Sequence, residues 1–433
     1  MRIRALGRTA AATALATLAA LLTTSGAGAA EDPLRNPAYK VPTQATAVFN
    51  DPMSADAGRR DAVRNELVDL IQRADNGSEI NGTVFLFNDE PVATALIRAA
   101  ARGVKVRMIV DAKALEQKDS QVPRLREALG TDTTAGSYLF GCPAGRGCIG
   151  TRTGLNSAPI NHNKFFLFSK VAGAENVVYQ SSANLTESQR NNLYNNAVVI
   201  PHAGLHATYR KYHQELVTRG QGPGLTHYYK TRQDGPYETF FFPRQEKQGA
   251  PVTDPSTDTV VSVLDNVRCL PDQGTKVRVA MFAFTREEVA RKLASLRDQG
   301  CHVYVFYNGY TKTDEGSSVS GDVIRALDSG KVRKLSARAA CVADSPNQPG
   351  QGVGLHSKYL LIEGAYGDVD DAALVFTGSA NYTVPTLRGH DDTLLKISDR
   401  TVYQQFENNF DDVLSGTGDK KGICAPPEAV PFQ

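Results

Sequence analysis

The sequence predicts an α/β protein made of two halves with one plan. Three observations carry that expectation: a strand, helix, strand order that occurs twice, a constant spacing between matched residues, and two tripeptides, His162-Asn163-Lys164 and His356-Ser357-Lys358, each opening an apolar run. One such tripeptide alone is ordinary surface decoration or a strand edge. Two copies need a shared cause.

The elements follow in order along the chain. Residues 1–29 read as a signal peptide: a basic stretch with Arg2, Arg4 and Arg8, an apolar run rich in Ala and Thr, then Ala27 and Ala29 spaced as a cleavage site requires. The expected location is therefore extracellular. A polar lead-in reaches Pro52, and residues 59–74 carry apolar side chains at helical spacing. Residues 83–87 predict a strand, the following run to Gly103 a helix, and 104–111 a second strand ending in Asp111. Strand 277–284, helix 286–300 and strand 301–309 repeat that order. Each half continues with strands at 164–168 and 358–362, at 177–181 and 373–377, and at 197–200 and 393–397, then closes with a helix at about 203–218 and about 401–414. The N-terminal half is taken as 30–219 and the C-terminal half as 261–433. Residues 220–260, rich in Gly, Pro and aromatic side chains, read as a linker segment between them. Its Phe240 to Phe242 fit a buried packing segment better than a lipid- or substrate-covering loop.

The halves superpose with a constant offset: Leu96 matches Leu293, Gly103 matches Gly300 and Asn184 matches Asn381, each 197 apart, while the two histidines are 194 apart. Any α/β protein repeats strand and helix, but the unusual polar residues have no reason to share the offset unless the chain is duplicated. Within each tripeptide, His and Lys are two apart and share a face on a strand. Ser182 and Asn184, like Ser379 and Asn381, are also two apart, so each half offers an imidazole, an ammonium, a hydroxyl and a carboxamide. Brought together across a pseudo-twofold axis, they form one pocket. Two lysines and two asparagines suit the equatorial oxygens of a phosphoryl group. One histidine attacks phosphorus to give a phosphohistidine, while the other protonates the leaving oxygen and then activates water or an alcohol. The lysines take the place of a metal, no HExxH, paired-carboxylate metal pattern or P-loop is found, and no cofactor is expected.

Paired His-x-Lys and Ser-x-Asn motifs in a duplicated chain resemble the phospholipase D superfamily, particularly its secreted bacterial members, and the resemblance covers essentially the whole mature chain. It implies a duplicated phospholipase D-like fold, two mixed-sheet α/β halves sharing one active site. By the same resemblance His162, Lys164 and Asn184 form one catalytic set and His356, Lys358 and Asn381 the other, with Ser182 and Ser379 supporting. Family habit makes His162 the nucleophile. The family pattern continues to an aspartate five residues after the lysine, where this chain has Ser169 and Glu363. It also often places a carboxylate after the asparagine to orient a histidine. Aligning NNAVVI with DDTLLKI pairs Asn196 with Asp392, and both are supporting candidates; an asparagine orients but supplies no charge. Asp111 and His390 are weaker candidates for the pocket wall.

The whole chain carries 48 basic and 46 acidic residues, and removing the three signal-segment arginines leaves 45 against 46. That balance gives no bulk attraction to nucleic acid or an anionic membrane. Six cysteines, Cys142, Cys148, Cys269, Cys301, Cys341 and Cys424, are expected as disulfides in an exported chain, with Cys142 and Cys148 closing a small loop. The expected partner is a phosphodiester substrate, foremost a phospholipid met through peripheral membrane contact, with Tyr228, Tyr229, Tyr237 and Phe240 to Phe242 as apolar contacts. One alternative is a nuclease or wall-polymer phosphodiesterase, for which Arg146, Arg152, Lys230 and Arg232 are the basic candidates. Another is a non-catalytic secreted protein that binds a phosphate ligand. Two half-sites in one chain make a monomer sufficient.

Overall fold

A computed structural model describes residues 38–270, 274–308, 319–329, 337–344, 346–348 and 352–415, the side chains of 337–344 and 414–415 excepted. The predicted signal peptide and Cys424 lie outside these residues, as does most of the two long polar loops of the second half.

The first half folds as β1 (Thr46–Phe49), β2 (Glu79–Val84), β3 (Lys105–Val110), β4 (Tyr138–Gly141), β5 (Phe165–Val171), β6 (Ala174–Ser181), β7 (Leu193–Tyr194) and β8 (Asn196–Pro201). The rest is β9 (Lys230–Asp234), β10 (Tyr237–Phe241), β11 (Lys276–Met281), β12 (His302–Asn308), β13 (Ala337–Asp344), β14 (Gly352–Leu355), β15 (Lys358–Tyr366), β16 (Val369–Gly378) and β17 (Thr393–Ser398). One sheet runs β1-β8-β6-β5-β2-β3-β4, and the other runs β7-β14-β13-β12-β11-β15-β16-β17-β10-β9. Both are mixed: β2 is parallel to β3 and antiparallel to β5, as β11 is to β12 and β15. Thus β8-β6-β5-β2-β3-β4 in the first sheet corresponds to β17-β16-β15-β11-β12-β13 in the second.

The segment read as a linker departs from that expectation. It supplies β9 and β10, and β10 lies antiparallel on β17 just as β1 lies on β8. The polar, exposed β9 forms the sheet edge and the aromatic β10 is buried between it and β17, a pairing the Gly- and Pro-rich composition masked. The predicted strand at 83–87 also ends early, at Val84, because Phe85 turns out of the sheet towards the tripeptide.

The inner faces of the sheets share one core. Phe165, Leu167, Val178 and Ile200 of the first sheet and Tyr359, Leu361, Val375 and Ile397 of the second meet there. Both closing helices, Ala203–Gly220 and Arg400–Ser415, contribute through Tyr209, Tyr212, Tyr403, Phe406 and Phe410. The outer faces are covered separately, by helices Ala62–Gln72 and Glu90–Ala101 on one side and Thr259–Leu264 and Glu287–Asp298 on the other. A sheet with both faces covered must be apolar on both, which is why β5 and β15 read as unbroken apolar runs. Cys142 bonds to Cys148 as expected, and Cys269 bonds to Cys301.

Candidate active site

Each histidine sits just before a central strand, where the chain bridges to the other half. His162 donates its backbone N–H to Asp391 O at 2.9 Å, and Asp391 returns a bond to Ile160 O at 2.9 Å. In the second half His356 N–H donates to Tyr194 O at 2.9 Å and Gly354 N–H to Asn192 O at 2.8 Å. Tyr194 and Asp391 are themselves 197 apart, so the exchange is symmetric. It carries the residue after each of them onto the histidine of the opposite half.

On one side that residue is Asp392. His162 Nδ1 lies 2.9 Å from Asp392 Oδ2, and Ser379 donates its hydroxyl to the other carboxylate oxygen. Burial works to raise the Asp392 pKa, but the charge and hydrogen bond of His162, together with Lys164 and Ser379, outweigh it and hold the carboxyl below its ordinary range. An ionised carboxylate only accepts, so Nδ1 carries a proton.

On the other side the residue is Asn195, a correction to the expected Asn196. His356 Nδ1 lies 2.9 Å from Asn195 Oδ1, which also accepts from Ser182 Oγ at 3.0 Å. The Asn195 amide nitrogen donates to Gln189 O and Leu193 O, each at 3.1 Å, so its oxygen must face the imidazole and Nδ1 again carries a proton. Asn196 instead ties the halves together: it donates to Thr377 Oγ1 at 2.8 Å and accepts from the Lys358 backbone at 3.4 Å. The physical reason is register. The offset of 197 that relates Asn184 to Asn381 relates Asn195 to Asp392.

Both lysines are buried, and each Nζ donates to the carbonyl of its own histidine at 2.7 Å. Each also lies over a phenylalanine, Lys164 at 5.3 Å from Phe85 and Lys358 at 4.9 Å from Phe282. The same rings pack on His162 and His356 at 5.5 and 4.5 Å. Phe85 and Phe282 share the offset of 197, a signal available in the sequence but hidden inside apolar runs. Lys358 Nζ is nearly equidistant from the two nitrogens of His356, 3.2 and 3.3 Å. Asn184 and Asn381 are buried beside the serines, and Asn381 Oδ1 has no hydrogen-bond partner among the described residues, as groups reserved for a ligand often do not. In the sets so assembled, two ammonium groups face one ionised carboxylate, an excess of positive charge suited to a phosphate. Among the described residues no three His, Cys, Asp or Glu side chains group as a metal ion requires.

Three further residues stand close behind. His390 lies 6.1 Å from His162 between ring centroids and 3.3 Å from Ser157 Oγ, and burial with the nearby His162 pushes its pKa down to about 3. Asp111 accepts from Lys113 N at 2.9 Å and Asn161 N at 2.7 Å; burial raises its pKa to about 6. Asp391, raised to about 7 chiefly by burial, accepts from Ile149 N and Gly150 N. His202, His206, His213 and His227 serve packing and capping: His202 accepts from Leu205 N, His213 bonds to Gly82 O and His227 accepts from Gln245 N.

The positions that depart from the family pattern lie at the far ends of β5 and β15. Ser169 accepts from Glu79 N at 2.8 Å and Glu363 pairs with Lys276 at 2.9 Å, matched ties to the first residues of β2 and β11. Ser181 is accommodated and donates to Asn196 O at 3.0 Å. Its counterpart Gly378 has φ of 146°, and a Cβ there would fall 2.3 Å from Thr393 O. The aromatic segment is core: Phe240, Phe241 and Phe242 are buried, and Phe241 stacks on Tyr212 at 4.1 Å. The basic candidates are each paired within the chain, Lys230 and Arg232 while exposed on β9. Arg146 donates to Gly220 O and Gly222 O, Arg152 pairs with Glu246, Lys230 with Glu215 and Arg232 with Asp234.

Two sheets of one plan, closing two His-Lys-Asn sets around a shared polar network, define the phospholipase D class. Residues 67–217 and 269–414 each match the family described as cardiolipin synthase, PLD-like domain, and the chain belongs to that phospholipase D-like family. Among solved structures it is similar to a phosphatidylserine synthase from Haemophilus influenzae, with 13% identity, TM-score 0.53, and coverage of 88% of this chain and 87% of that one. A polyphosphate kinase from Porphyromonas gingivalis matches at 12% identity and TM-score 0.49 over 85% of this chain, which spans half of that one. A phospholipase D family member, Nuc from Salmonella typhimurium, matches at 18% identity and TM-score 0.27 over 41% of this chain and 95% of that one. No curated protein sequence matches.

Proposed function

We propose that this protein is an exported phospholipase D-type phosphodiesterase that cleaves the head-group ester of phospholipids through a phosphohistidine on His162. The observation that carries the reading is the unlike pair of imidazole partners, Asp392 on His162 and Asn195 on His356. When Nε2 of His162 attacks phosphorus, a P–N bond forms and its ring becomes cationic; a carboxylate at Nδ1 stabilises that charge, and a carboxamide does not. The P–O bond breaks and the leaving oxygen takes a proton from protonated His356. His356 holds its extra proton against a neutral amide and an ammonium, so it releases it readily. Neutral His356 then accepts a proton from water, whose oxygen displaces His162; an alcohol in place of water gives transfer. Lys164, Lys358, Asn184 and Asn381 supply the charge and hydrogen bonds for the phosphoryl oxygens.

A lipid substrate is supported by the phospholipid chemistry in the family's description, and by basic candidates for a nucleic-acid groove that are engaged within the chain. The aromatic segment lends no support, since it is core. Residues 1–29 support export.

The test is choline release from phosphatidylcholine vesicles by the mature protein, with His356→Ala as blank, chelator as a second arm and DNA cleavage in parallel. Release that vanishes in the variant and survives chelation is expected. DNA cleavage without choline release selects the nuclease reading, and silence on both points to wall polymers or to binding without catalysis.

A further inference from the structure

The peptide that delivers Asp392 is gripped by a loop from the other half. Gly147 to Gly150, at the exit of the Cys142–Cys148 disulfide, wraps the side chain of Asp391, which accepts N–H bonds from Ile149 at 2.9 Å and Gly150 at 2.6 Å. The fit leaves no room for side chains: a Cβ on Gly147 would lie 2.7 Å from the Asp391 carboxylate, one on Gly150 2.0 Å from Gly389 O, and one on Gly389 2.9 Å from Leu155. Asp391 also exchanges both backbone bonds with the His162 segment. The backbone exchange is repeated in the other half, but the side-chain grip is not. Tyr194 stands at the matched position, and its hydroxyl reaches Asp51 Oδ1 at 3.1 Å instead.

We propose that Asp391 is a positioning residue for His162: by filling the backbone nest behind the Cys142–Cys148 loop, it fixes the peptide that holds the Asp392 carboxylate on His162 Nδ1. Both oxygens of the Asp391 carboxyl accept from N–H groups, whether it is ionised or protonated, whereas an asparagine must turn its NH₂ towards one of them and lose that bond. The grip belongs to one histidine alone, the one whose partner is charged. The inference on turnover rests on the phosphodiesterase reading; the geometry of the His162 pair does not.

The test is therefore double. In the full-length mature protein, the His162 Nδ1 proton, held against a buried carboxylate, is followed as a downfield resonance by proton NMR and assigned by its loss in Asp392→Asn. In Asp391→Asn it is expected to broaden or disappear while the protein stays folded, and kcat on phosphatidylcholine is expected to fall about 10- to 100-fold, as small misplacements cost, with KM changed by less than about twofold. Gly150→Ala, which wedges the nest apart from the other side, should reproduce both effects, and combining the two should add little. An unchanged resonance in both variants overturns the proposal, as does a kcat loss that follows only the unfolded fraction. Loss of the resonance in the two variants, with a wild-type chain that cleaves no phospholipid, leaves the positioning role standing and removes the phospholipase reading.

Discussion

Asp392 and Asn195 differ by a charged oxygen against an NH₂, and the proposed division of labour between the histidines rests on that difference. Replacing Asp392 with Asn keeps the shape and removes the charge, so kcat should fall by roughly 10²- to 10⁴-fold with little change in melting temperature, measured as head-group release and by calorimetry. Activity near wild type would mean that His162 does not carry the positive charge. Asp391 gives a second residue-scale expectation. Its pKa is raised to about 7, so the folded chain holds that proton more tightly than the unfolded one. The associated stability is complete below about pH 4 and is lost as the pH rises through 7. Between pH 5 and 8 the melting temperature of Asp391→Asn should therefore fall less steeply than that of the parent; parallel curves would contradict a titrating Asp391. At this scale the sequence was legible where the repeat had a mate. Asn184 with Asn381 and Ser182 with Ser379 declare themselves through the offset, and Asn195 with Asp392 follows from it once the register is kept. His390 and Asp391 match Leu193 and Tyr194, so no repeat signals them, and only the crossing of the halves brings them to His162.

Strands were readable because burial on both faces makes β5 and β15 continuous apolar runs, while β9 and β10 were lost in a segment whose Gly and Pro content resembles a connector. The departures at 169 and 363 belong to this scale. Each ties the far end of a central strand to the start of its neighbour, away from the histidines. Glu363→Ala should cost about 1 kcal/mol or less, as half-exposed ion pairs do, with turnover unchanged. Denaturant titration and head-group release check it, and a large activity loss would place Glu363 in the chemistry. Gly378→Ala should be far worse, about 1 to 3 kcal/mol, since it combines a φ of 146° with a contact on Thr393 O; the matching Ser181→Gly meets neither constraint.

For the molecule as a whole, each half lends the other its histidine partner, and one core closes over both sheets. A chain with His162→Ala mixed with a chain with His356→Ala should stay inactive, because every chain completes its own pair of sets; recovery of head-group release on mixing would reveal exchange of halves between chains. The duplication and its two-sheet plan were legible in the sequence, since the offset of 197 spans strands, helices and polar residues alike. The crossing was not, because periodicity describes a strand's faces and says nothing of which half supplies a neighbour. That crossing has a consequence for biosynthesis. His162 and its carboxylate partner Asp392 are 230 residues apart in the chain. At roughly 5 to 20 residues per second of synthesis, some ten to fifty seconds pass between the making of the histidine and of its carboxylate. Under the proposed mechanism the nascent chain carries an incomplete nucleophile throughout that interval, a latency set by the order of synthesis.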